Sequence, residues 1–190
     1  MRVVGGEYRG RALVAPSGRD TRPTSDRLRQ TIFDILAHGS HGDVLKGARV
    51  LDLFAGTGAL GLEALSRGAA YALFVEEAVA ARGAIRANIE ALGLTGRTRV
   101  FRRDATNLGP AGTVAPFALV FADPPYGKGL GERALVSARA GGWLRPGALV
   151  VLEEAASAEM APIAGLDLID TRRVGDTRIV FLVAGGPATG

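Results

Sequence analysis

From Ala48 onward, short apolar runs alternate with stretches whose apolar residues recur every three or four positions. Val50 to Phe54, Ala72 to Val75, Arg99 to Arg102, Phe117 to Ala122 and Ala148 to Leu152 read as strands. Leu60 to Arg67, Ala78 to Leu92 (stopped by Gly93) and a segment from Gly131 to Ala140 read as helices between them. Such alternation demands right-handed crossovers and therefore a parallel sheet. Leu166 to Val174 and Thr177 to Val183 are separated by Gly175-Asp176 alone, a turn that makes these two strands antiparallel. The pattern predicts an α/β fold: a doubly wound, mainly parallel sheet of seven strands that ends in an antiparallel hairpin.

The first 45 residues follow a different rhythm. Val3-Val4, Gly5-Gly6 and Tyr8 to Val14 suggest a short hairpin or an extended arm, and Pro16 to Pro23 is a turn-rich link. Thr24 or Ser25 can cap a helix running to about Leu36, with Leu28, Ile32, Ile35 and Leu36 on one face and Arg27, Arg29 and Gln30 elsewhere on the cylinder. The division expected is a basic arm and helix over 1–45, a core domain over 46–184 and a flexible tail over 185–190.

Charge sharpens that division. Residues 1–29 hold seven arginines against Glu7, Asp20 and Asp26, so the whole formal excess of +4 sits in this segment. Clustered guanidinium groups suit phosphate, which points to nucleic acid, although a solvated basic arm would look the same. With no cysteine and only His38 and His41, the chain offers no thiolate nucleophile and a poor metal site, so metal-free chemistry is expected. No signal-type stretch or run of some eighteen apolar residues is present, so a cytoplasmic location is expected.

Two loops carry the candidate chemistry. Asp52-Leu53-Phe54-Ala55-Gly56-Thr57-Gly58-Ala59-Leu60-Gly61 places a glycine-rich turn between the first core strand and its helix, where a doubly wound sheet binds ligands. Gly56-x-Gly58-x-x-Gly61 also fits a dinucleotide fingerprint, with Glu76 twenty residues past Gly56. Asp52 argues against a diphosphate there, because a carboxylate repels it and attracts the cationic methionine moiety of S-adenosylmethionine instead. Asp104, followed by Ala105, is a third acid placed after a strand, suited to an adenine amine. Each acid has a bland alternative: Asp52 as a cap of the following turn, Glu76 or Glu77 as a cap of the next helix, and Asp104 as a loop acid. Glu76-Glu77 leaves open which glutamate faces a ribose, with Glu76 preferred as the first after its strand.

The second loop is Asp123-Pro124-Pro125-Tyr126 after the fourth strand. Paired prolines remove two N–H donors and fix two φ angles, leaving a rigid platform of acceptors. Such a platform can grip the N–H groups of an exocyclic amine on a base, through the Asp123 carboxylate and the Pro124 carbonyl, while Tyr126 stacks on the ring.

With these loops in view, the chain resembles the Rossmann-like class I methyltransferases that modify amino groups with a D-P-P-[YF] loop. Arg2-Val3-Val4-Gly5-Gly6-Glu7-Tyr8-Arg9-Gly10-Arg11 and Thr21-Arg22-Pro23-Thr24-Ser25-Asp26-Arg27-Leu28-Arg29-Gln30 extend the likeness to the RsmD-type 16S ribosomal RNA (guanine-N2) methyltransferases. The resemblance implies S-adenosylmethionine held by Asp52, Phe54, Ala55, Gly56, Thr57, Gly58, Gly61, Glu76, Asp104 and Ala105. It implies catalysis by Asp123, Pro124, Pro125 and Tyr126, and RNA contacts from Arg9, Arg11, Arg22, Arg27 and Arg29. The expected partner is 16S ribosomal RNA in the small subunit or a late assembly intermediate, met by a monomer without metal or membrane. Three other readings compete: a DNA adenine or cytosine amino methyltransferase, a nicotinamide-dependent oxidoreductase and a non-catalytic RNA-binding assembly factor. The oxidoreductase lacks a Tyr-x-x-x-Lys donor pair, since Lys46 and Lys128 are the chain's two lysines.

Overall fold

In the computed structural model, which describes residues 1–16 and 25–186, the apolar runs become seven strands of one sheet. These are β1 (Arg49–Leu53), β2 (Tyr71–Val75), β3 (Thr98–Phe101), β4 (Phe117–Ala122), β5 (Leu144–Ala155), β6 (Leu166–Val174) and β7 (Thr177–Ala184). Their order is β3-β2-β1-β4-β5-β7-β6, parallel from β3 through β5 and antiparallel across β5-β7-β6. The helices are α1 (Asp26–His38), α2 (Ala59–Ser66), α3 (Val79–Ala91) and α4 (Leu130–Ala140). Among the described residues no helix is long and apolar enough to cross a membrane.

Strands buried on both sides read as continuous apolar runs, and alternate residues here feed two cores. Phe74, Phe121, Leu149, Val151 and Phe181 meet α1, α2 and α3 on one face, whereas Leu53, Val75, Val120, Val150 and Leu152 meet α4 and Trp143 on the other. A fully buried Leu or Phe contributes roughly 1.5–3 kcal/mol. The central strands are therefore the stiffest support available for the loops at their ends.

The arm and α1 belong to the first of these cores, to which Val3, Leu13, Leu28, Ile32, Phe33 and Leu36 all contribute. The arm closes through a single antiparallel bridge, Arg2 to Ala12, rather than a full hairpin ladder. It lies along α2 and α3: the Val4 N–H donates to Glu63 (2.8 Å), and the Glu7 and Tyr8 N–H groups donate to Ser66. Ser25 caps α1, its Oγ accepting the Leu28 N–H at 3.1 Å; Thr24 lies outside the described residues. At the other end the Gly185 N–H donates to the Gly165 carbonyl (3.0 Å) and Arg139 binds the Gly185 and Gly186 carbonyls, so the described part of the expected tail is anchored.

Arg29 departs from its expected role as an RNA contact. Its side chain is completely buried, donating to the Arg2 carbonyl at 2.5 Å and to Asp26 at 2.7 Å, with Glu63 at 3.7 Å. The buried stripe of α1 is Leu28, Arg29, Ile32, Phe33 and Leu36, so the helix faces inward about an eighth of a turn from the stripe the apolar residues predicted. Glu63, itself fully buried and also bonded by Arg67 at 2.8 Å, supplies the counter-charge that allows an arginine there. The guanidinium of Arg29 thus fastens the arm and α1 to α2.

Candidate active site

The strand order reverses between β2 and β4 around β1, which puts the topological switch point at the carboxyl ends of β1 and β4. These strands run in register, Leu53 opposite Ala122, so the glycine-rich turn and the Asp-Pro-Pro-Tyr loop leave the sheet side by side. The Asp123 N–H still reaches the Leu53 carbonyl, at 3.5 Å.

The glycine turn is braced by acids from beneath. Asp52 is buried and accepts the Gly61 N–H at 2.9 Å, which fixes the first turn of α2. A Cβ on Gly61 would come within 2.4 Å of the Phe74 ring and 3.1 Å of the Asp52 carboxylate, so glycine is required where helix and strand meet. Phe54 takes a left-handed backbone at φ 58°, an arrangement that costs about 1–3 kcal/mol in a residue with a side chain. Gly56 and Gly58 share that handedness without the cost. Thr57, Ala55 and Gly58 are buried within the turn.

Glu76, not Glu77, turns inward: its carboxylate accepts the Gly56 N–H at 2.9 Å and the Ala78 N–H at 2.8 Å, while Glu77 is exposed. Burial pushes the Asp52 carboxyl well above the usual carboxylate range, opposed by the Gly61 N–H and reinforced by the nearby charges of Asp123 and Glu76. Three carboxyl groups thus converge electrostatically on one crevice. Asp104 lies at its far side, exposed, and caps the 3-10 turn 105–107 by accepting the Thr106 hydroxyl (2.7 Å) and N–H (2.8 Å), contacts that lower its pKa. Ala105, next to it, is buried. Among the described residues no group of three or more His, Asp and Glu side chains is arranged to hold a metal ion.

The second loop is held from the opposite direction. Pro124 is buried against α4, where a Cβ on Gly131 would meet the proline ring at 3.3 Å, and Pro125 is exposed. Asp123 and Tyr126 are half-buried at the crevice.

A family model described as "Conserved hypothetical protein 95" matches residues 1–183. Over 154 residues the chain is 42% identical to ribosomal RNA small subunit methyltransferase D of Escherichia coli K12, covering 80% of this chain and 74% of that one. The chain belongs to the RsmD family of methyltransferases. The enzyme of the same name from Haemophilus influenzae is 32% identical over 155 residues (80% of this chain, 78% of that one). The solved structure of yhhF from Escherichia coli superimposes with a TM-score of 0.82 at 34% identity, covering 98% of this chain and 99% of that one. The family match and the yhhF superposition extend over both loops and the arm, so the crevice between β1 and β4 is the place to look for the chemistry of this RsmD-family chain.

Three supporting residues of this family member escaped the sequence reading. Glu154, buried at the end of β5, accepts the Gly127 N–H and the Ala155 N–H, each at 2.8 Å, and so pins the residue after Tyr126. Thr177, first in β7, lies 3.3 Å from the Tyr126 hydroxyl. Asn88 of α3 is buried, donating to the Thr57 carbonyl (3.0 Å) and clasping Val14 through both its carbonyl (3.0 Å) and its N–H (2.7 Å). Asn88 is thus the bridge between the glycine turn and the arm. A polar residue inside an otherwise apolar helix face was its one sequence signal.

The expected RNA contacts are not gathered at the crevice. The arm's turn lies against Ser66 and Arg11 reaches the Ala91 carbonyl at 3.4 Å, so Arg9 and Arg11 sit by the C-terminal ends of α2 and α3, away from Asp123. Both are exposed, as is Arg27 on the first turn of α1, and Arg22 lies outside the described residues.

Proposed function

We propose that this chain methylates the exocyclic N2 of a guanine in 16S ribosomal RNA, using S-adenosylmethionine. The observation that carries the reading is the register of Leu53 with Ala122, which sets a cofactor-type turn beside an amine-gripping loop. The acceptor set fits the proposed cofactor: buried or inward-facing carboxylates at Asp52 and Glu76 suit a cation with hydroxyl and amine donors and would repel a diphosphate. Asp52, Phe54, Ala55, Gly56, Thr57, Gly58, Gly61, Glu76, Asp104 and Ala105 would hold it. When bound it supplies an electrophilic methyl group on a positively charged sulfur.

The chain's own contribution is placement. An aromatic amine is a poor nucleophile because its lone pair is delocalised into the ring. The Asp123 carboxylate and the Pro124 carbonyl each accept one N–H, hold the nitrogen toward the donor and localise its lone pair. Tyr126 stacks on the base, and Asp123 takes the proton that the methylated amine releases. Alignment of this kind lowers a barrier by up to roughly 7–11 kcal/mol. Arg9 and Arg11 would bind RNA backbone away from the reacting base, and Arg22 and Arg27 would add further backbone contacts.

The test uses radiolabelled S-adenosylmethionine and small-subunit particles carrying unmodified RNA. The intact protein is expected to label guanine N2, and Asp123→Ala to lose transfer while still binding the cofactor. Transfer by Asp123→Ala at near the wild-type rate defeats the mechanism.

A further inference from the structure

The geometry points to the β6–β7 hairpin, through Arg173, as the surface that binds an RNA phosphate next to the target nucleotide. The inference deepens the proposed RNA methylation and rests on it for the identity of the strand. In register, Glu154 of β5, Arg178 of β7 and Arg173 of β6 form one row across the sheet. Partners in register share a face, so the row leads from the catalytic loop outward over two strand spacings, roughly 10 Å. Its inner end is the carboxylate that accepts the Gly127 N–H, next to Tyr126. Thr177, next to the hairpin's turn, approaches the Tyr126 hydroxyl, and the turn is tied to the exit of β5 by the Ala156 N–H donating to the Asp176 carbonyl at 2.8 Å.

Two arginines directly opposite each other in a ladder repel, an arrangement that destabilises a sheet unless an anion joins them. Arg178 is drawn inward, donating to the Ala158 carbonyl at 2.5 Å. Arg173 is exposed; its Nε donates to the Gly175 carbonyl at 3.1 Å, and its two terminal nitrogens have no partner among the described residues. Its neighbour Arg172 is already paired with Asp170 at 3.0 Å, and Asp176 is the acid of the turn itself. Lys128, exposed beside Gly127, adds a cation without an ion pair among the described residues. An open guanidinium fork is shaped for the two oxygens of a phosphate, and its place two strand spacings from the carboxylate that holds Gly127 suits a flanking nucleotide of the strand whose base enters the crevice. The arm's arginines lie too far down α2 and α3 for that task.

The test has two arms, each with the intact protein. In methyl transfer to unmodified small-subunit particles, Arg173→Ala is expected to raise KM for the particles about tenfold, leave kcat and cofactor affinity unchanged, and be only partly rescued by Arg173→Lys, which keeps the charge without the fork. In filter binding to a short single-stranded oligoribonucleotide, the same variant is expected to flatten the salt dependence by about 0.7 in log–log slope, the loss of one phosphate contact. An unchanged KM together with an unchanged salt slope overturns the inference. If the wild-type protein labels no particle, the proposed function falls. The oligoribonucleotide arm then decides the hairpin alone: a flattened slope supports it and an unchanged one overturns it.

Discussion

The two loops at the switch point are held by opposite strategies. The glycine turn after β1 is braced from inside the domain, by the buried carboxyl of Asp52, the carboxylate of Glu76 and the amide of Asn88. The Asp-Pro-Pro-Tyr loop after β4 is stiffened by its own prolines and pinned where the sheet turns antiparallel, by Glu154 at the end of β5 and Thr177 of β7. Separate supports mean that cofactor binding and methyl transfer can be damaged independently.

The strongest way to break that separation is a crossed pair of substitutions. Asp123→Ala is expected to cut the transfer rate by about 100- to 10,000-fold and leave the cofactor Kd within about twofold. Gly61→Ala is expected to do the reverse, since overpacking against Phe74 costs roughly 1–3 kcal/mol and falls on the turn. Calorimetric titration and single-turnover transfer separate the two. A lost cofactor affinity in Asp123→Ala would merge the loops into one unit.

A smaller and sharper contrast comes from the supports. Glu154→Ala strands the Gly127 and Ala155 N–H groups, and Asn88→Ala strands the Thr57 carbonyl, each at about 1–3 kcal/mol. The first is expected to lower kcat about tenfold at constant cofactor Kd, the second to weaken cofactor binding about tenfold at constant kcat. Equal effects of both on kcat would remove the distinction.

The smallest effect is in pH. Because burial raises the Asp52 carboxyl, the folded protein binds that proton more tightly than the unfolded chain does. The contribution of Asp52 to the stability of the free protein is therefore greatest below the ordinary carboxylate range and declines as pH rises from there through the raised value. A cationic cofactor favours the ionised carboxyl, so its affinity should increase over the same window. Asp52→Asn should flatten both curves, as read by thermal melts and titrations; a wild-type affinity independent of pH would contradict the placement of Asp52.

Much of this was legible in the chain. Alternating apolar runs reveal a parallel sheet because its strands are buried on both faces, and glycine or proline punctuation marks the two loops because glycine takes a left-handed backbone at least cost and proline stiffens the chain. Strand ends were harder. β5 begins at Leu144, ahead of Pro146-Gly147, and continues through Glu153 and Glu154, two acids buried by tertiary contacts that periodicity does not register. Arg29 shows the same blindness in reverse: an arginine count reports charge, whereas its partner Glu63 lies 34 positions away on another helix. The arm was legible as basic and as an extension, but its course along α2 and α3, which carries Arg9 and Arg11 away from the crevice, depends on bonds to Ser66 and Asn88 that have no sequence pattern.

The most direct measurement is mass mapping of methylated nucleotides in small-subunit RNA before and after incubation with the protein and S-adenosylmethionine. The account predicts one new methyl group, on the exocyclic nitrogen of one guanine. A methyl group on a ring nitrogen, a carbon or a ribose would contradict it, because two acceptors grip the two N–H groups of a single amine, a pair that none of those atoms carries.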